Sequence, residues 1–512
     1  MDRSCRAYSN VRRRNAGSNL GERDWSGPRD PVLYVSTEGA IRQSAHMRRI
    51  EWGPLLERTR HHAATFLESL PERPVQPRSD AAQVLASADR SVPESPSDPL
   101  AVIDELVRTV DPGVTAMAGG RFFGWVIGGS LPAAVAADWM TTVWDQNAGS
   151  GEGTPAAVAI EQVAIRWVAE LLDLPIASGV LVTGAQMASF VGLAIARGEL
   201  LRSVGWDLEA EGLAGAPPLR VIVGAERHGT IDKALRMLGI GTRQVHVVEA
   251  DRQGRMRPEA LSDALAGDDL AIVCAQAGNV NGGGFDPMPA IADLVNTARA
   301  RRSIWIHLDG AFGLWARAAP SRRALADGVE LADSWSTDGH KWLNTPFDCG
   351  IAFTRHAEAH RRTFRGGATY LPGEAAVRNP FDHAPELSRR ARGFALWAAL
   401  RELGRSGVAD LIERSCAYAR RFAEGLAALP GVEVMNEVEL NQLVVRFRDP
   451  HGHDDDAHTR AVIARVVAGG ACYPSGTVWR GVAAMRISVS NWMTDEADVD
   501  LGIAAIARAH RS

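Results

Sequence analysis

Between Gly179 and Asp338 the chain repeats one pattern six times: a short β-rich apolar run, then a stretch with helical periodicity. The runs are GVLVT, LRVIVGA, QVHVVEA, LAIVCAQA, SIWIHLDG and ADSWSTD. Strands this uniformly apolar are buried on both faces, which happens when helices cover a mostly parallel sheet. The predicted fold class is therefore α/β. In such sheets ligands bind beyond the carboxyl ends of the strands, so the polar residues that follow each run are the ones to examine. A helix-rich stretch from Pro385 to Leu429 comes next. After it, GVEVMN, NQLVVRFRD, a helix near His458 to Val467 and AMRISVSNW predict a small α+β domain at the C-terminus.

At 512 residues the chain can hold one large domain with smaller attachments. Residues 1–46 mix Arg, Ser, Gly and Asn without periodicity and read as a disordered leader, with Met47 as a candidate start. Residues 47–115 read as an N-terminal arm, helical from Ile50 to Leu70 and then looped through the Pro-rich PERPVQPR and SVPESPSDP. The large domain is expected over 116–400 and the small one over 401–512. A net charge of −5 provides no basic field for nucleic acid or an anionic membrane, so a small-molecule partner is expected. There is no apolar run long enough to span a membrane and no apolar signal-peptide core. Five scattered cysteines, Cys5, Cys274, Cys349, Cys416 and Cys472, argue against a disulfide framework and against a metal site. A reducing, cytoplasmic setting is the expectation.

Of the 56 basic residues only Lys233 and Lys341 are lysine. A lysine retained against such a bias raises the question of what arginine cannot do there, and arginine cannot form a Schiff base. Lys233 falls on a helical pattern, where an exposed lysine is ordinary. Lys341 follows an apolar run in DSWSTDGHKWLN, beside His340 and Trp342. Asp309 ends another run, SIWIHLDGAFG, 32 residues earlier. A strand-end aspartate followed by a strand-end lysine is the pair that pyridoxal phosphate needs: an amine for its aldehyde and a counter-ion for its ring nitrogen. GVLVTGAQMAS offers strand, small-residue turn and helix, so Gly184, Ala185 and Gln186 can present free N–H groups to a phosphate. His228, in VGAERHGTID, follows a further strand, where it can stack on a cofactor or act as an acid.

The segments TGAQMAS, ERHGTIDKALR, AGNVNGGGFDP, HLDGAFG, DGHKW and PELSRRARGFALWAALRELG together resemble the pyridoxal-phosphate-dependent group II amino-acid decarboxylases, the family of aromatic amino-acid and glutamate decarboxylases. The resemblance runs from about Ile50 to Ala507. It implies an aspartate-aminotransferase-like (fold type I) large domain binding pyridoxal 5'-phosphate, Lys341 as the Schiff-base lysine, Asp309 at the pyridine nitrogen and His228 stacked on the ring. It places Ala185, Gln186 and His340 near the phosphate and Ala311 beneath the ring. GGATYLPGE matches the family's catalytic loop, which makes Tyr370, followed by Leu371, the proton donor and implies a homodimer, because that loop reaches the partner's site. Trp125 and Val126, in RFFGWVIGG, fall where the family lines its substrate side-chain pocket.

Two departures stand out: the family's Gly-Gly-Ser phosphate turn reads Gly184-Ala185-Gln186, and its Asn-Pro before His-Lys reads Asp338-Gly339. The expected activity is α-decarboxylation of an L-amino acid to an amine. The alternative is an aminotransferase or another carbon-bond lyase, suggested by Arg486 in MRISVSNW, which resembles the arginine that grips the α-carboxylate in that superfamily. Coupling to oxidative deamination is disfavoured by the presence of Tyr370, and a non-catalytic relative by retention of Lys341, Asp309 and His228.

Overall fold

The computed structural model describes residues 51–366 and 378–512. The chain divides into two units, residues 1–60 and 61–512, and the second contains everything discussed below. Its centre is a seven-stranded sheet in the order β1-β7-β6-β5-β4-β2-β3. The strands are β1 (Ser178–Val182), β2 (Leu219–Gly224), β3 (Val245–Val248), β4 (Leu270–Gln276), β5 (Ile304–Asp309), β6 (Ser334–Asp338) and β7 (Gly350–Thr354). Strands β3, β2, β4, β5 and β6 are mutually parallel, whereas β7 runs antiparallel to both β6 and β1. All six runs predicted as strands are strands. The seventh, β7, was not predicted, because GIAFT follows a turn and lacks the helix–strand alternation that marks the others.

Side-chain parity divides the sheet into two faces. Ala271, Val273, Ala275, Ile306, Leu308 and Trp335 join one core, while Leu270, Ile272, Cys274 and Trp305 join the other. The second face is covered by α3 (Ala185–Ser203), which begins directly after β1. On that face Gly192 lies so close to the His307 imidazole that a Cβ there would come within 2.7 Å of it. Because residues two apart on a strand share a face, Asp309 and His307 on β5 point toward the same side as Ser336 and Asp338 on β6. The polar ends of both strands therefore lie beside the start of α3. Helices α1 (Pro132–Trp144) and α2 (Pro155–Leu172) precede β1, α4 (Gly229–Met237) follows β2 and α5 (Met288–Arg299) follows β4.

The C-terminal sheet is antiparallel, in the order β10-β11-β9-β8, from β8 (Val432–Val434), β9 (Gln442–Phe447), β10 (Ser475–Trp479) and β11 (Val482–Ser488). Helices α7 (Asp455–Gly469) and α8 (Glu496–Arg511) pack on it, burying Phe422, Val445, Phe447, Val462, Met485 and Ile506 in a separate core. This is the α+β arrangement predicted, with β10 as an addition. The long helix α6 (Gly393–Ala427) is interrupted at Gly404, whose φ of 60° only glycine adopts at low cost. The expected division at 400/401 falls inside this helix, four residues before that interruption. No helix among the described residues is long and apolar enough to cross a membrane.

Candidate active site

Thr183, Gly184, Ala185, Gln186, Met187, His228, Thr230, Asp309, Ala311, Asp338, His340, Lys341 and Phe347 line a cleft of about 360 Å³ at the carboxyl ends of the strands. Every residue predicted from the motifs to hold the cofactor is among them. The sequence separations they bridge, from 184 to 341, are closed by strand order: β1, β7, β6 and β5 are neighbours, so the turns after β1, β5 and β6 meet at one edge.

The start of α3 supplies the cradle. Its first amides have no partner within the helix, and the helix dipole places partial positive charge there. A Cβ on Gly184 would stand 3.3 Å from the His340 ring, and one on Gly350 would overlap the Gly184 backbone, so both positions let strand and turn pack closely behind the first amides of α3. His340 Nδ1 accepts the Cys349 N–H at 3.1 Å and its ring stacks on Phe347 at 4.4 Å. Burial lowers its pKa, countered by Asp338. A neutral ring whose Nδ1 accepts must carry its proton on Nε2, which makes Nε2 a donor aimed into the cradle.

His228 caps α4 from the mouth of the cleft, its Nδ1 accepting from the Thr230 N–H at 3.3 Å and lying 2.7 Å from Thr230 Oγ1. Desolvation lowers its pKa most; Lys341 and Arg486 lower it further, while Asp309 and Asp338 oppose them. By the same reasoning it is a neutral imidazole with its proton on Nε2. Asp309 is buried, accepts the Ala311 N–H at 3.2 Å, and has no ion-pair partner among the described residues. Burial raises its pKa, while Lys341 and His228 pull it down. A buried carboxylate with one backbone donor is poised for a cation, and a protonated ring nitrogen supplies one. The residues present thus fit a phosphorylated pyridine aldehyde: amides and an imidazole N–H for the phosphate, a carboxylate for the ring nitrogen and a lysine for the aldehyde.

Lys341 Nζ lies 3.5 Å from Asp338 Oδ2, and its side chain is 22% exposed toward the cleft. Lys233, on α4, lines no part of it. Beside Lys341 runs the segment 125–129. A Cβ on Gly128 would overlap the Lys341 carbonyl, and the Leu131 N–H donates to Asn344 O at 2.8 Å. Trp125 and Val126 have φ of 54° and 60°, and Asn344 has 56°. A left-handed β-branched residue costs of the order of 1–3 kcal/mol, and such strain concentrates at ligand clamps. Neither Trp125 nor Val126 lines the 360 Å³ cleft. Trp125 is half exposed and packs edge-on to Phe122 and Tyr473, both at 5.7 Å, while Val126 is buried in the main core. Tyr370 and Leu371 lie outside the described residues. Sequence reasoning had not placed Thr183, Met187, Thr230, Phe347 or Asp338 in the cleft. Asp338 was the most accessible of these, standing at a strand end three residues before the lysine.

The chain resembles known proteins over most of its length. It is 29% identical to tryptophan decarboxylase 1 of Oryza sativa subsp. japonica over 439 residues, 80% of this chain and 84% of that one. It is 27% identical to the aromatic-L-amino-acid decarboxylase of Bacillus atrophaeus over 74% of this chain and 78% of that one. Among solved structures, Oryza sativa TDC with PLP and tryptamine superposes with a TM-score of 0.83 at 24% identity, covering 94% of this chain and 99% of that one. Mouse CSAD in its apo form gives 0.81 at 23% identity over 89% and 98%. These superpositions establish fold type I, a mostly parallel α/β domain followed by a small C-terminal domain. Residues 82–448, well over half of the chain and including every residue of the cleft, match the pyridoxal-dependent decarboxylase conserved domain, and the chain belongs to that family.

Proposed function

We propose that the chain removes the α-carboxylate of an L-amino acid and releases the amine, with pyridoxal 5'-phosphate bound covalently to Lys341. The observation that supports this best is the meeting of Lys341, Asp309, His228 and the open start of α3 in one cleft. When bound, the cofactor supplies an electron sink for the bond pair left at the substrate Cα. The chain supplies the rest. The α3 amides and His340 Nε2 would hold a phosphate, Asp309 would keep a proton on a ring nitrogen, and His228 and Ala311 would contact the ring. Arg486 is buried, donates to Val280 O at 3.2 Å and leaves its Nε without an acceptor among the described residues. Burial lowers its pKa to about 10. In this reading Arg486 receives a carboxylate of the substrate, and the phenol O–H of Tyr370 delivers the proton that Cα takes up.

The named relatives act on tryptophan and on aromatic L-amino acids. The half-exposed Trp125 ring and the partly exposed Tyr473 ring, both packed on the buried Phe122, offer a surface for a flat side chain, which favours an aromatic substrate. A homodimer is proposed as well. On α1, Trp139, Met140, Val143 and Trp144 form one exposed apolar face of the kind that subunit contacts cover. The described cysteines are free and buried, which suits a reducing, cytoplasmic setting. The division into a leader (1–46), an arm (47–115), a large cofactor-binding domain (116–400) and a small domain (401–512) is part of this reading. Carbon dioxide release across the twenty amino acids, with products identified by mass, tests the reading. An amine from one substrate class is the expected result; a yellow, cofactor-loaded protein that releases no carbon dioxide from any of them would refute it.

A further inference from the structure

The phosphate cradle of this chain contains a carboxylate. Asp338 ends β6 at 2% exposure, with its N–H donating to Ala311 O and its carbonyl accepting from Trp315 Nε1, both at 3.1 Å. Its backbone is thereby held in place. Asp338 Oδ1 accepts the Ala185 N–H at 2.6 Å, at the first residue of α3. Oδ2 lies 3.5 Å from Lys341 Nζ and 3.6 Å from His340 Nε2. The anion that a helix start attracts is therefore already present as part of the protein, and it engages two of the groups the cofactor needs, a cradle amide and the lysine.

The groups facing Asp338 do little to relieve it. From the loop after β6 come Lys341 and His340, from β5 Asp309, from the mouth of the cleft His228, and from before β7 Cys349. Burial keeps both histidines neutral near pH 7 and pushes the Cys349 thiol up to about 12. Among the described residues Lys341 Nζ, 3.5 Å away, is the basic group nearest the carboxylate, and engaging it with a cofactor withdraws it. A phosphate brought to α3 comes beside a like charge that is itself 2% exposed, where repulsion is stronger than in bulk water. An asparagine at 338 would present an N–H to the phosphate where the aspartate presents only lone pairs.

We propose that Asp338 competes with the cofactor phosphate for the start of α3, so that cofactor loading is weakened. This rests on the pyridoxal-phosphate reading above and extends it to how readily the chain fills with cofactor.

The test is equilibrium dialysis of the full-length chain against pyridoxal 5'-phosphate and, in parallel, against pyridoxal, which lacks the phosphate, from pH 6.5 to 8.5. Wild type, Asp338→Asn and Asp338→Ala are compared, each first checked for a wild-type circular dichroism spectrum. The expected result is phosphate-ester binding at least tenfold tighter in both variants at pH 8, with pyridoxal binding within twofold of wild type. Equal or weaker binding of the phosphate ester by both folded variants overturns the proposal, since Asp338 then supports the cradle. If none of the three proteins takes up pyridoxal 5'-phosphate at any pH, the cofactor assignment falls and the proposal falls with it.

Discussion

The turn that presents the cradle is secured from behind by a fully buried ion pair, and removing one partner should be far more damaging than removing both. Arg389 and Glu161 have side-chain exposures of 0% and 2%. Arg389 Nη2 donates to Glu161 Oε1 at 2.9 Å and to Leu181 O at 2.6 Å, and Nη1 donates to Ala148 O. Glu161 Oε1 also accepts the Leu181 N–H at 3.2 Å, while its Oε2 has no partner among the described residues. The pair thus joins α2, the loop at 147–149 and β1, two residues before the cleft begins at Thr183. Arg389→Met would leave the Glu161 charge buried and uncompensated, which costs about 3–5 kcal/mol. At roughly 1 °C per kcal/mol for a chain of this size, that is a fall of about 3–5 °C in Tm. Glu161→Leu should cost a similar amount by stranding the guanidinium. The double variant removes both charges and should recover to within about 1–2 kcal/mol of wild type, giving a coupling of at least about 4 kcal/mol. Thermal unfolding of the four proteins by circular dichroism measures this cycle. Losses that simply add, or a double variant less stable than either single one, would refute the reasoning.

Three further outcomes are expected. Borohydride reduction of the cofactor-loaded protein followed by peptide mapping should label Lys341; Lys341→Ala should lose the label with the fold intact, Lys233→Ala should keep it, and a label on Lys233 would overturn the site. Gly350→Ala, whose Cβ would overlap the Gly184 backbone, should remove most cofactor binding at equilibrium, and a variant that binds as wild type would show that the cradle can shift. Stability should fall steeply in mild acid: burial lowers His307 and His383 to about 3 and His360 well below its ordinary value, so between pH 6.5 and about 3 the unfolded chain binds protons that the folded chain refuses. Each such histidine contributes a loss of about 1.4 kcal/mol per pH unit, and Asp286, raised to about 6, offsets one of the three between about pH 4 and 6. Urea unfolding that does not change from pH 6.5 to 5 would contradict this.

Much of the molecule could be read from residue order alone. The six apolar runs specified parallel strands, five of them buried because burial on both faces leaves no room for polar alternation; the sixth, β3, lies at the sheet edge and exposes His246 and Val247, a position that residue order does not reveal. The scarcity of lysine singled out Lys341, and the strand-end position of Asp309 supplied its complement, because the chemistry of a Schiff base and of a ring counter-ion admits few residue types. What the sequence could not express is adjacency. That β7 runs between β6 and β1, bringing Gly350 against Gly184 and closing the cleft, depends on long-range pairing that no local pattern encodes. Trp125 and Val126 were chosen by resemblance. Only the tertiary structure places one in an exposed aromatic cluster and the other in the core, because a left-handed turn held against the Lys341 loop sets where those side chains point. Asp338 shows the same division. Its identity was plain in DGHKW, but its meaning depends on an amide 153 residues away, and only folding brings the two to 2.6 Å.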